Sequence, residues 1–201
     1  HNVQYCDTVS SSGTHTAVTG RSGLDKTALL TPLEINKAVT TLKKLGAKPI
    51  NGKYVAIIHP SVSFDLRNSD GWVESHKYAA VTEIFNGEIG ELHGVRFVES
   101  NNAKVFNDST CPVKTAASDG NPAVYYSVYP TLFFGKGAFR MIDPEGGNLE
   151  MIVKNKGEIG GPLDQFSTVG YKAVMATKIV YEDRMVRVES CSSYSETDEA
   201  N

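Results

Sequence analysis

Apolar residues recur along this chain at two different periods. Ile35, Ala38, Val39, Leu42 and Leu45 fall at helical spacing and predict a helix with one buried face. Its start is signalled by Thr31-Pro32-Leu33-Glu34, a capping-box pattern with Thr31 as N-cap, Pro32 in the first helical position and Glu34 reaching back. Leu30 and Ile35 occupy the staple positions, while Lys43, Lys44 and Gly46 suit the carbonyl end and the stop. The run Lys53 to Ile58 is too continuously apolar for a one-faced edge strand, so it is expected inside a sheet, ended by His59-Pro60. A short helix is expected over Ser61 to Arg67. A second is expected over Trp72 to Phe85, burying Trp72, Ala79, Ala80 and Ile84. Gly87 and Gly90 break that run, and Gly94 opens a strand from Val95 to Glu99.

Before residue 29, a strand-like Asn2 to Cys6 gives way to a Ser/Thr/Gly-rich stretch, Asp7 to Gly23, with too little apolar surface to order itself. After Asn102 the texture changes again. Asn107 to Pro130 is polar and turn-rich and reads as a surface loop holding one apolar cluster at Val124-Tyr125-Tyr126. The rest is β: Thr131 to Phe134, Gly137 to Ile142, Leu149 to Val153, a long strand from Thr168 to Tyr181, and Met185 to Glu189. In the long segment Val169, Tyr171, Ala173 and Met175 share one face, and Gly170, Lys172 and Val174 the other. Asp143-Pro144-Glu145-Gly146-Gly147 and Glu182-Asp183 read as turns, and the Ser/Glu/Asp-rich tail from Ser192 to Asn201 is expected to fray.

Composition narrows the function classes. With 201 residues, 40% of them hydrophobic, the chain can bury a real core, and its formal charge of −3 lacks the basic excess that grips nucleic acid through counterion release. Cys6, Cys111 and Cys191 are odd in number and widely spaced, which predicts free thiols in a reducing compartment. No apolar run is long enough for a bilayer-spanning helix, and a start on His1 predicts that something upstream has been removed. The five histidines make no metal-binding spacing, so neither metal nor cofactor is expected. Gly135-Lys136-Gly137 lacks the Ser or Thr and the helix of a phosphate loop and is read as a hairpin bend; Gly160-Gly161-Pro162 is read as a turn. His59, at a strand end, is the one candidate for catalysis in a small α/β enzyme, although a structural role needs fewer partners.

Four segments, in order, resemble the N-four-like family of tailed-phage major capsid proteins, a branch of the Hong Kong 97-like shell fold. They are Leu30-Thr31-Pro32 with its helix and Leu42-Lys43; Tyr54 to Pro60 with Asp65-Leu66-Arg67; Phe85 to Gly90 with Leu92 to Glu99; and Gly135 to Phe139 with Thr168 to Ala173. The resemblance implies an α+β fold. It assigns residues 1–28 to a strand and flexible loop of the peripheral domain, 29–131 to an axial domain with surface loop 107–130, 132–191 to a peripheral domain on a long antiparallel sheet, and 192–201 to a flexible tail. Family members carry an N-terminal arm, an extended loop and a spine helix before the equivalent of Asn2, so the chain resembles their carboxy-terminal two-thirds.

What the resemblance implies for function is self-assembly without catalysis. Copies would form pentamers and hexamers of an icosahedral head, enclosing double-stranded DNA without sequence-specific contacts and without a membrane. Decoration, scaffold and portal proteins are the further partners it suggests. The location would be the virion shell, assembled in the bacterial cytoplasm. Gly87, Glu88, Glu91, Tyr125, Tyr126, Tyr129, Glu182 and Asp183 are the candidate subunit contacts. An encapsulin-like nanocompartment shell is the alternative within the fold, and the His59 enzyme the alternative outside it.

Overall fold

The computed structural model describes residues 2–69, 71–72, 88–118, 121–142, 149–156 and 166–201. Two compact units emerge: a body, His1–Ala138 with Tyr181–Asn201, and a second unit, Phe139–Val180. Among the described residues the body holds two α-helices, α1 (Pro32–Lys44) and α2 (Pro60–Asn68). Its strands are β1 (Asn2–Tyr5), β2 (Thr8–Val9), β3 (His15–Thr16), β4 (Tyr54–Ile58), β5 (Glu88–Leu92), β6 (Val95–Glu99), β7 (Val113–Thr115), β8 (Val124–Tyr125), β9 (Tyr129–Phe134) and β14 (Met185–Ser190). The second unit holds β10 (Phe139–Ile142), β11 (Glu150–Lys154), β12 (Thr168–Lys172) and β13 (Ala176–Ile179).

A six-stranded mixed sheet in the order β1-β14-β9-β4-β6-β5 organises the body. β4 lies in its middle, antiparallel to β9 and parallel to β6, as its unbroken apolar run requires. Ala56 of β4 stands opposite Phe97 on one side and Phe133 on the other. Its small side chain leaves room for those two rings to meet edge to face at 6.1 Å, and Trp72 extends the row 5.9 Å beyond Phe97. On this face the core is completed by Ile35, Ala38, Val39 and Leu42 of α1 and Val62 and Leu66 of α2, all at or near zero exposure. Phe134, Ala138 and Met185 form a smaller cluster with Val55, Ile57 and Leu132.

The helix signals hold at one end of α1 and fail in part at the other. Gly46 takes a left-handed φ of 72°, its amide bonds the Lys43 carbonyl and the Ala47 amide bonds that of Leu42, which is the Schellman closure. Thr31 is the N-cap residue and makes no side-chain cap bond. Glu34 is buried and accepts from Lys37 Nζ at 2.8 Å, because the nearby ammonium offers it a stronger partner than the cap amide.

Several expectations change. Gly90, expected to break the preceding run, lies within the edge strand β5, which carries a bulge between Glu88 and Gly90 (Gly90 φ 146°) and returns to β6 through the two-residue turn His93-Gly94, both at positive φ. The expected domain boundary between Thr131 and Leu132 runs through β9, whose partners β4 and β14 come from either side of it; the compact division falls at residues 139 and 180. The long strand Thr168 to Tyr181 is two strands separated by Ala173 to Met175. β11 pairs with β12 and β10 with β13, so the pairings nest. Gly135 to Gly137 does not join paired strands: β9 and β10 share no ladder. A Cβ on Gly135 would lie 2.6 Å from the Lys48 carbonyl oxygen, so that close approach requires glycine. The expected helix over Trp72 to Phe85 lies outside the described residues beyond Trp72, as do Gly87 and the turns at Asp143 to Gly147 and Gly160 to Pro162.

Two more elements expected to be loose are built into the body. Within Asn107 to Pro130, Cys111, Pro112, Ser127, Val128, Tyr129 and Pro130 are buried, and Phe106 and Val128 pair as a β-bridge. The tail, expected to fray, is tied along its length. Ser192 is buried with its hydroxyl donating to the Ser61 carbonyl at 3.0 Å, the Ser193 amide donates to Asp65 at 3.0 Å, and the Ser127 amide donates to the Glu196 carbonyl at 2.8 Å. Asn201 closes it, its Oδ1 accepting from the Val105 amide and its Nδ2 donating to the Ala103 carbonyl. A polar composition marks a segment that cannot form a core, yet this one has hydrogen-bond partners waiting on the body.

Candidate functional site

His59 ends β4 as the N-cap of α2. Its Nδ1 accepts the Ser61 amide at 3.3 Å and its ring lies 5.0 Å from that of Tyr129. Burial holds its pKa below 6.5 against the opposing charges of Asp198 and Glu99, which favours the neutral ring that an N-cap acceptor must be. With Nδ1 occupied by a backbone amide, the residue positions a helix instead of a nucleophile. Among the described residues no cluster of three or more His, Cys, Asp or Glu could hold a metal ion. No described helix is long and apolar enough to cross a membrane.

The three cysteines are free and buried. Burial pushes the Cys191 thiol up to about 12 and raises those of Cys6 and Cys111, with the Glu34 charge adding to the effect at Cys6. Thiols held protonated in this way are poor nucleophiles and poor ligands. Glu189, a fully buried carboxylate, is matched by Arg21 through two bonds of 2.7 and 2.8 Å, with Arg187 Nε at 3.0 Å. The Arg21 guanidinium also lies 3.7 Å from the centre of the Phe106 ring, so this charge cluster ties Arg21 and Phe106 to β14.

The structure scatters the candidate contact residues. Gly87 and the side chain of Glu88 lie outside the described residues. Glu91, on β5, is half-exposed and paired with Lys53, with Arg96 Nε at 3.9 Å. Tyr125 and Tyr126 pack their rings partly against the core. Tyr129 is fully buried; its hydroxyl donates to Asp198 Oδ2 at 2.6 Å, so as a surface contact it is corrected to a core residue that anchors the tail. Its pKa is driven upward by burial and the Asp198 charge. Glu182 and Asp183 are exposed in a 3-10 turn, Glu182–Arg184, where Arg184 Nη1 donates to the Lys136 carbonyl at 3.1 Å. The Tyr181 amide bonds the Ala138 carbonyl, so the chain leaves the body and returns to it at neighbouring points.

What the sequence reading missed is the surface of the second unit. All four of its strands are exposed along their whole length, including Met141, Met151, Val153, Val169 and Tyr171. The signal was present, since alternation over Val169 to Met175 was visible, but alternation says which residues share a face and not what covers it.

No protein-family model and no curated protein matches the sequence. Solved structures do. The chain superimposes on the capsid protein of Ralstonia phage GP4 with a TM-score of 0.65 at 17% identity, covering 100% of this chain and 54% of that one. On the capsid asymmetric unit of the cyanophage Pam1 the TM-score is 0.62 at 14% identity, covering 96% and 54%. For the acid-stable capsid of Helicobacter pylori bacteriophage KHP30 it is 0.55 at 11% identity, covering 94% and 61%. The fold is therefore the Hong Kong 97-like α+β capsid fold expected from the four sequence segments. The chain spans between half and two thirds of the length of these capsid proteins. The matches bear on the shell fold and leave the N-four-like branch untested.

Proposed function

We propose that this chain is the shell-building part of a phage major capsid protein, and that the N-four-like branch suggested by its four ordered segments is its family. Copies associate head to tail into pentamers and hexamers of an icosahedral head around double-stranded DNA. Contacts that repeat by rotation close into rings and leave edges for the next ring, so a single protein can build both. The body and the second unit are then parts of the axial and peripheral regions of one subunit. Scaffold, portal and decoration proteins are its further partners, and assembly takes place in the bacterial cytoplasm.

The single observation that carries this reading is a fold likeness running through the entire chain, second unit included, to a phage capsid. Two others support it. His59 caps α2 through Nδ1 and the three cysteines are free and buried, which suits a structural role for each. The formal charge of −3 suits a wall that encloses DNA without gripping it. Purified particles containing the complete protein are expected to yield peptides of this chain as their main component, together with nuclease-protected DNA. Particles holding protein cargo and no DNA would establish the nanocompartment reading instead. A non-particulate protein that turns over a substrate, and loses that turnover in His59→Ala, would overturn both.

A further inference from the structure

Net charge conceals where the charges sit. The stretch Lys43 to Lys53 holds four lysines and no acidic residue, and Lys136 stands in the bend Gly135-Lys136-Gly137, which lacks the makings of a phosphate loop. Folding brings the two together. The Lys136 amide donates to the Lys48 carbonyl at 2.8 Å, the Gly135 amide to the Arg184 carbonyl at 3.0 Å, and Arg184 Nη1 to the Lys136 carbonyl at 3.1 Å. α1 ends at the same place, since the Tyr54 hydroxyl at the start of β4 donates to the Ala47 carbonyl just past the last turn of the helix. Lys43, Lys44, Lys48 and Lys136 are therefore grouped at one end of the body's sheet, where β4 and β14 begin and β9 ends.

All four lysines are exposed, and among the described residues none takes part in a salt bridge. Lys53, at the margin of the group, is different: it is half-buried and matched by Glu91. Ammonium groups held near one another repel, and an anion laid against them turns that repulsion into attraction. The identity of the residues points to the kind of anion. Lysine is depleted from the cores of protein interfaces, because drying its ammonium and freezing its long stem are both costly. A nucleic-acid backbone requires neither. Its phosphates meet hydrated ammonium groups, and release of the counterions condensed on a duplex supplies the free energy. Lysines act as point charges, so such a contact positions the backbone without reading sequence. The whole chain carries −3 although this end is basic, so the remainder is more acidic still and turns a duplex away.

We propose that the lysine end of the body, Lys43, Lys44, Lys48 and Lys136, is the surface that touches the phosphate backbone of packaged double-stranded DNA, and hence the part of the body that faces the shell interior. The proposal rests on the shell-building reading and gives that shell an inside. Four lysines make a salt-sensitive contact and not a grip, in keeping with a chain that is acidic overall.

Two measurements on the complete protein test it. Unassembled subunits are expected to bind a fluorescent duplex of about 30 base pairs at about 50 mM salt, with affinity falling as roughly the fourth power of salt concentration. Lys43→Gln, Lys44→Gln, Lys48→Gln and Lys136→Gln combined are expected to lower that affinity by about tenfold or more and to flatten the salt slope by about three. The same number of charges removed elsewhere, by Lys26→Gln, Lys104→Gln, Lys154→Gln and Lys156→Gln, is expected to leave the affinity within about twofold. Equal losses in the two variants would mean that DNA answers only to total charge, and would overturn the assignment. Unchanged binding in the first variant would overturn it too, and if that variant also failed to assemble, the lysine end would be a subunit contact. In DNA-filled particles, formaldehyde is expected to attach nucleotides to Lys43, Lys44, Lys48 or Lys136. Adducts confined to other lysines would overturn the assignment and leave the shell reading intact. Complete protein that forms no DNA-filled particle would fail the shell reading, and the packaged-DNA partner would fall with it.

Discussion

Tyr54–Ile58 and Glu150–Lys154 are strands of equal length, the first apolar throughout and the second apolar at its three central positions, yet the first alternates between buried and half-buried while the second is exposed even at Met151 and Val153. The first has neighbours on both edges and α2 and α1 contributing to its core face. The second has one neighbour. A strand's own residues set which side chains point together, whereas burial is conferred by the elements packed against it, wherever they lie in the chain. In the body that covering is internal. In the second unit the described residues supply none.

The difference should be plain in denaturation. Phe133→Ala removes a ring at zero exposure that meets Phe97 edge to face, and is expected to destabilise the body by about 3–5 kcal/mol in urea unfolding. Glu189→Gln leaves Arg21 and Arg187 beside each other without their carboxylate and should cost about 3 kcal/mol by the same measurement. Asp198→Asn weakens the acceptor of the Tyr129 and Ser195 hydroxyls and should cost about 1 kcal/mol, with faster hydrogen exchange confined to the tail and its neighbours. At the small end, Met151→Ala and Tyr171→Ala should change the unfolding of unassembled subunits by less than about 0.5 kcal/mol. A substitution there as costly as Phe133→Ala would mean that these side chains are already covered within one subunit.

Acid should separate the regions too. Burial tends to raise the Asp198 pKa, but the Ser195 and Tyr129 hydroxyls and the His59 charge outweigh it and hold the group below 3.8. Its contribution is present above that value and is lost as the pH falls through the lower, folded one. His59, held below 6.5, stays neutral in the body while the unfolded chain takes up a proton, so stability is also lost as the pH falls below 6.5. Thermal unfolding of the body should therefore occur at lower temperature on acidification, in two stages. Asp198→Asn should reduce the lower stage and, by removing a charge that opposes the burial of His59, keep that ring neutral to lower pH.

Legibility followed how local the cause was. The stop of α1 at Gly46 and the interior position of β4 were readable because the deciding residues sit within the element or beside it. Thr31 is the N-cap as read, but Glu34's reach back to it was misread because Lys37, one turn on, competes for that carboxylate. The tail was misread because its partners Asp65, Ser127 and Tyr129 lie far back in sequence, and a run of Ser, Glu and Asp looks the same whether water or protein answers it. The candidate contacts fared unevenly for the same reason: Glu182 and Asp183 are exposed as a charged turn should be, while Tyr129 serves the core. The fold itself was legible because four modest segments kept a fixed order.

The parallel pairing of β1 with β14 has a consequence for the timing of biosynthesis. β1 leaves the ribosome near the beginning of this chain and its ladder partner near the end, with the tail that locks Tyr129 later still. Non-local pairing of this kind folds slowly, and here it cannot begin until β14 has been translated. Until then β1 has no ladder partner and β9 presents an open edge, because β14 is the strand that stands between them. Synthesis of β14 is thus the event that closes the sheet, and every residue before it waits on that one strand.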